Sequence, residues 1–168
     1  RILLAQAAQQ VMKCSMELGG NAPFIVFDDA DLDAAVDGAM MSKFRNAGQT
    51  CVCANRIYVQ AGVYDAFAAK LKVAVDALQV GDGFGEGITT GPMITANAVG
   101  KVQEHLDDIL ANGGAVLTGG APHEFGGNFY QPTVLTGVTQ DMKVAKEETF
   151  GPLAPLFKFD DVDDVIAM

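Results

Sequence analysis

The segment RIYVQAGVYDAFAAKLKVAVDAL, residues 56–78, passes from a β pattern to an α pattern within a few residues. Residues 56–60 carry the branched and aromatic side chains that strands favour. From Tyr64 onward Phe67, Leu71, Val75 and Leu78 recur every three or four residues, which places them on one face of an amphipathic helix. The same alternation extends in both directions. Upstream, the chain opens on a helical pattern of Ile2, Leu3, Ala7 and Val11. Residues 13–18 then alternate Cys14, Met16 and Leu18 with Lys13, Ser15 and Glu17, the period of a half-buried strand, until Gly19-Gly20-Asn21 breaks it. Residues 22–27 read as a second strand, and Asp31 as the N-cap of a helix carrying Leu32, Val36, Ala39 and Met40.

Downstream, the Gly-rich residues 80–91 read as loop. Residues 95–112 form a helix through Val99, Val102, Leu106, Ile109 and Leu110, stopped by Gly113-Gly114. Strands follow at residues 115–118, 133–138 and 156–159, with a last helix after Asp161. Helices of about 12 to 18 residues between strands call for crossover connections, so the expected fold is α/β, a mostly parallel open sheet with flanking helices.

Composition narrows the function classes. The chain has 168 residues, 49% hydrophobic and 19% charged, enough apolar material for one domain with a substantial core. Eleven Lys and Arg against 21 Asp and Glu leave a net charge of −10, which repels phosphate backbones and anionic lipid. Neither nucleic acid nor membrane is expected as a partner. No apolar run approaches the roughly 18 residues needed to span a bilayer. Ile2-Leu3-Leu4-Ala5 stops at Gln6, short of the ~7-residue core of a signal peptide. Three Cys and two His match neither a zinc spacing nor a disulfide framework, so no metal is expected. These features predict a soluble, cytoplasmic protein with reduced thiols. The chain opens at Arg1 inside a helix without an N-cap, and its last helix stops at Met168. Both ends read as cuts within something longer.

Two side chains stand out as chemical candidates. Cys51 follows Gly48-Gln49-Thr50 after a helix, where a thiol can be reached, whereas Cys14 sits among apolar residues on its strand face as structural cysteines do. A reachable thiol suits covalent attack on a carbonyl, since a few per cent is already thiolate at neutral pH; an inert loop cysteine is the other reading. Glu17, at a strand end before two glycines, reads either as a general base or as a solvated carboxylate. Gly81-Asp82-Gly83-Phe84-Gly85-Glu86-Gly87 fails as a dinucleotide fingerprint, because the third glycine falls on Glu86 and the segment follows a helix. His105 and His123 lack partners at a ligand or triad spacing and read as structural or solvated. The Asp28-Asp29-Asp31-Asp33 cluster reads as charge at a helix N-terminus.

Taken together, Met16-Glu17-Leu18-Gly19-Gly20-Asn21, Asn46-Ala47-Gly48-Gln49-Thr50-Cys51 and Glu147-Glu148-Thr149-Phe150-Gly151-Pro152 resemble three signature segments of the aldehyde dehydrogenase superfamily. They stand in that order, with Glu17 and Cys51 separated by the family's 34 residues, and the resemblance covers essentially the whole chain. Residues 43–56 are most similar to the succinate-semialdehyde dehydrogenase group. The resemblance implies Cys51 as nucleophile, Glu17 as general base, and Arg45 as the cation that holds the substrate's distal carboxylate. It implies Glu148 on the nicotinamide ribose hydroxyls, Phe150 near the nicotinamide ring and Leu18 at the nicotinamide end of an NAD or NADP cofactor. Cys53 matches a second cysteine of that group and forms, with Cys51, a candidate redox pair.

By the same resemblance, residues 1–18 are the end of a cofactor-binding domain and residues 19–168 a catalytic domain incomplete at its C-terminal end. The rest of the cofactor site would lie outside the chain, so the 168 residues alone are expected to be inactive. The full-length parent is expected to be a homo-oligomer, a dimer or tetramer, acting on a small semialdehyde. Glutarate semialdehyde is an alternative substrate, because Arg45 reads a carboxylate and not chain length. A non-catalytic thiol-redox module built on Cys51-Val52-Cys53 is the reading from outside the enzyme class.

Overall fold

The computed structural model describes residues 1–168 and runs α1 (Ile2–Ala8), β1 (Ala22–Val26), α2 (Leu32–Lys43), a tight turn (Arg45–Gly48), β2 (Ala54–Gln60), α3 (Tyr64–Asp76), α4 (Ala96–Ala111), β3 (Ala115–Thr118), β4 (Thr133–Val138), α5 (Lys143–Lys146), β5 (Leu153–Phe159) and α6 (Val162–Ala167). The five strands form one sheet in the order β1-β2-β5-β4-β3. β1, β2, β5 and β4 are parallel and β3 runs antiparallel to β4, so the expected mostly parallel α/β sheet is borne out.

Side chains alternate across a strand, and β2 sends Ile57 and Val59 to one face and Tyr58 to the other. The first face is covered by Val36 and Ala39 of α2 and by Phe67, Leu71 and Val75 of α3. The second is covered by Val102, Leu106 and Ile109 of α4, with Val144 of α5 and Val165 of α6. β5 divides in the same way, Ala154 and Leu156 against Leu153, Phe157 and Phe159. Both central strands are therefore buried on two sides, which requires apolar runs in place of alternation. Full burial of a side chain such as Phe67, Leu71 or Ile109 stabilises the fold by roughly 1.5–3 kcal/mol. On β4 the parity breaks, since Leu135 and Val138 reach the same face. A bulge between them, with Gly137 at φ +67°, supplies the extra residue.

Local signals set most boundaries. The Asp31 carboxylate accepts from Asp33 N (3.0 Å) and Ala34 N (3.2 Å), and Asp161 accepts from Asp164 N (3.0 Å), so both expected caps form. α4 stops where Gly113 turns to φ +90° and Gly114 N donates to Ile109 O (2.9 Å). β5 starts three residues before the expected 156, because Pro155, lacking a backbone donor, disguises a central strand.

One element fails to appear. Residues 13–18 form no strand, and residues 8–20 are exposed throughout. No other strand lies beside them, and a period-two pattern without a partner has nothing to pair with. Cys14 is accordingly exposed instead of packed on a strand face, and Glu17 stands on irregular backbone instead of at a strand end. α1 forms but buries none of its residues. No helix is long and apolar enough to cross a membrane.

Candidate active site

β1, β2 and β5 are adjacent and parallel, so the segments that lead into them arrive at the same edge of the sheet. Those segments are residues 17–21, 44–53 and 147–152. Their contacts are close. A Cβ placed on Gly19 would lie 2.4 Å from Glu148 Oε2, and one on Gly48 would lie 2.1 Å from the carbonyl oxygen of Gly151. At Gly48, against fixed backbone, only hydrogen lets the segments touch, whereas a methyl at Gly19 would push the Glu148 carboxylate aside. Asn21 Nδ2 donates to the carbonyls of Val144 (3.3 Å) and Ala145 (3.2 Å), and Arg56 Nε donates to Asn21 O (2.8 Å), which ties the first segment to α5 and β2 beside the other two.

The loop bearing Cys51 is built by a rare backbone turn. Asn46 (φ 52°), Ala47 (φ 54°) and Gly48 (φ 72°) occupy the left-handed region in succession. For residues with a Cβ that conformation costs roughly 1–2 kcal/mol each, which the surroundings must offset. Asn46 Nδ2 donates to Gln49 O (3.1 Å), and Gln49 Nε2 donates to Asn46 O (3.2 Å) and Pro92 O (3.3 Å). Gln49 Oε1 accepts from Ile94 N (2.9 Å), so this one amide braces the turn against the 92–94 loop. Cys53 N then donates to Thr50 O (3.1 Å), which makes residues 50–53 a turn.

Cys51 stands exposed on that turn, as a nucleophile requires, while Cys53 is buried with its sulfur 2.9 Å from Thr50 Oγ1 and 3.8 Å from Lys43 O. Glu17 and Leu18 are exposed at the same edge, and Glu17 makes no hydrogen bond or ion pair. Arg45 is also exposed and unpaired, directly after α2. Phe150 joins Asn46, Gln49, Pro92 and Ile94 around a pocket of about 330 Å³. Glu148 is half-buried, with Oε1 buried and without a partner. No direct bond links Cys51, Glu17 and Arg45 to one another; they share an edge of the sheet.

Sequence reasoning passed over the groups behind this edge. Lys43 is fully buried at the end of α2, where Nζ donates to Asn55 Oδ1 (2.7 Å) and Thr149 O (3.3 Å). Desolvation pushes its ammonium down to about 8, against the opposing pull of Cys53 and Glu148. Its signal was present: Val36, Ala39 and Lys43 form the buried stripe of α2, and a lysine on such a stripe is abnormal. His105, read as lacking partners, is buried with Nδ1 2.7 Å from Thr149 Oγ1 and Nε2 3.3 Å from Glu147 Oε2. Those partners lie more than 40 residues along the chain, beyond any local spacing.

The profile of the aldehyde dehydrogenase family matches residues 1–168. The chain belongs to that family. It is 64% identical over 167 residues to a succinate-semialdehyde dehydrogenase [NADP(+)] of Escherichia coli, with 99% of the chain covered. It is 62% identical over 168 residues to a 3-sulfolactaldehyde dehydrogenase of Pseudomonas putida and 61% identical over 168 residues to a glutarate-semialdehyde dehydrogenase of Pseudomonas aeruginosa, both with 100% covered. The chain spans 35% of the length of each of these curated relatives. Its fold is similar to a solved structure described as an E. coli NADP dependent enzyme, with a TM-score of 0.94 and 63% identity over 99% of this chain and 34% of that one.

Proposed function

We propose that the protein carrying these residues is an NAD(P)-dependent aldehyde dehydrogenase that oxidises succinate semialdehyde to succinate. The observation that carries this reading is the convergence of the Glu17, Cys51 and Glu148 segments at one sheet edge, with the thiol exposed and Glu148 Oε1 without a donor. A carboxylate only accepts hydrogen bonds, so that vacant oxygen fits the hydroxyls of a nicotinamide ribose, with Leu18 and Phe150 flanking the ring. When bound, the nicotinamide supplies the hydride acceptor. Residues 1–18 are assigned to the end of the cofactor-binding domain and residues 19–168 to the catalytic domain.

In this mechanism the Cys51 thiolate attacks the carbonyl carbon, forming a C–S bond and a thiohemiacetal oxyanion. With a nicotinamide bound as hydride acceptor, loss of hydride would leave the acyl group on Cys51 as a thioester. Glu17 then takes a proton from water as its oxygen attacks that carbonyl. The C–S bond breaks, the acid leaves and Cys51 returns as thiolate. Arg45, exposed and without a partner within the chain, offers its guanidinium fork to the distal carboxylate.

A second reading, glutarate semialdehyde, is favoured by the nearly equal identity of relatives named for different anionic aldehydes. Arg45→Met in the full-length protein tests the substrate class. A hydrogen bond to a charged group contributes about 1.5–3 kcal/mol, so kcat/KM for succinate semialdehyde should fall roughly 10- to 150-fold while butyraldehyde loses little. Equal losses for both substrates would overturn the carboxylate assignment. Relative kcat/KM for the C4 and C5 semialdehydes decides between the two acids.

A further inference from the structure

We propose that Lys43 and His105 are positioning residues that hold Glu148 in place for the cofactor through a two-sided grip on Thr149. The proposal rests on the reading of Glu148 given above. Thr149 is buried where the three segments meet. Its carbonyl accepts from Lys43 Nζ (3.3 Å) at the end of α2, which covers the first face of the sheet. Its hydroxyl meets His105 Nδ1 (2.7 Å) on α4, which covers the second. The grips therefore come from opposite layers of the sheet and hold Thr149 from two sides.

The hydrogen bonds have a definite polarity. Glu147 Oε2 can only accept, so His105 Nε2 carries the proton it donates there (3.3 Å). Nδ1 of a neutral ring is then an acceptor, and the Thr149 hydroxyl donates to it. Burial holds His105 below the usual imidazole range and keeps it neutral, although Glu147 pulls the other way and Lys101 and Glu104 also face it. Glu147 is further tied to Lys101 Nζ (2.6 Å), so residues 147 and 149 are both anchored on α4.

Glu148, between those two anchors, is left without a hydrogen bond at Oε1. The buried ammonium of Lys43 attracts it without bonding to it, because Nζ is engaged by two neutral acceptors, Asn55 Oδ1 and Thr149 O. A direct Lys43–Glu148 ion pair would occupy the oxygens that a ligand hydroxyl needs. Asn55 thus holds the cation at a distance where it orients the carboxylate and leaves its acceptor open.

The test uses the full-length protein. Thr149→Val removes the hydroxyl and keeps the shape and the carbonyl. It should raise KM for the nicotinamide cofactor about tenfold, one hydrogen bond's equivalent of about 1.4 kcal/mol. The rate of Cys51 alkylation by iodoacetamide without cofactor should stay unchanged. Thr149→Ser should bring KM back. Glu148→Gln, measured in parallel, separates the two ideas. If Glu148→Gln raises KM and Thr149→Val does not, the grip is refuted; if Glu148→Gln leaves KM unchanged, the reading of Glu148 itself falls and the grip with it. A lower thermal midpoint in Thr149→Val with unchanged KM would mark Thr149 as merely structural and also refute the grip. Should Thr149→Val fail to fold, His105→Ala against His105→Asn, whose side-chain oxygen reaches the Nδ1 position, decides by the same KM comparison.

Discussion

Burying Lys43 leaves a signature in the pH dependence of stability. Its ammonium is desolvated in the fold and titrates at about 8 instead of 10.5. Between those values the unfolded chain binds more protons than the folded one, so stability rises with pH across that window. Below about 8 the lysine is charged in both states and the full desolvation cost applies. Above 10.5 it is neutral in both and the cost is gone. A shift of about 2.5 units at 1.36 kcal/mol per unit amounts to roughly 3 kcal/mol. Lys43→Met removes the titrating group while leaving Asn55 Oδ1 and Thr149 O without their donor, a penalty that does not vary with pH. The stability of the parent minus that of Lys43→Met should therefore climb by about 3 kcal/mol between pH 7 and pH 10.5. Urea unfolding of both proteins at several pH values, with the difference taken at each, measures it. Subtraction cancels the contributions that the two proteins share. A flat difference, or one that falls with pH, would show that Lys43 is not a desolvated ammonium.

Gly48→Ala places a methyl group against the Gly151 carbonyl at a left-handed φ, and should lower stability by about 2–4 kcal/mol and activity with it, checked by urea midpoint and by turnover. Peroxide should inactivate the full-length protein reversibly through a Cys51–Cys53 bond, because the Cys53 N–Thr50 O bond folds residues 50–53 into a turn that is more compact than an extended segment. Reversible inactivation of Cys53→Ala at the same rate as the parent would rule this pair out. Asp31→Ala removes the acceptor for Asp33 N and Ala34 N and should cost about 1 kcal/mol of stability, read as a lower thermal midpoint with unchanged KM.

Periodicity and capping residues were enough to place β1, β2, β4 and helices α2, α3 and α4 within a few residues, because those signals are local. Phe67, Leu71 and Val75 are buried where the helical spacing put them, and Gly113-Gly114 stops α4 as expected. Residues 13–18 carry an equally clear local pattern and form no strand, because a strand also needs a neighbour and a pattern cannot supply one. The three signature segments were visible as motifs, but their meeting depends on β1, β2 and β5 lying side by side, an order that does not follow the chain. Lys43 shows the limit most sharply. By residue type it belongs on the surface; its spacing from Val36 and Ala39 hints at the buried stripe, but the partners Asn55 and Thr149 come only from the packing of α2 against the sheet. His105 has no notable neighbour in sequence, and the layer of α4 over β5 is what delivers it to Thr149 and Glu147. The sequence by itself determined most of the helices and strands, residues 13–18 excepted, and which side chains carry reactive chemistry, since these depend chiefly on a residue and its near neighbours. Which carboxylate stays open, which thiol is exposed and which cation is desolvated were decided only by tertiary packing, because burial and hydrogen-bond partnership depend on atoms brought together from distant parts of the chain.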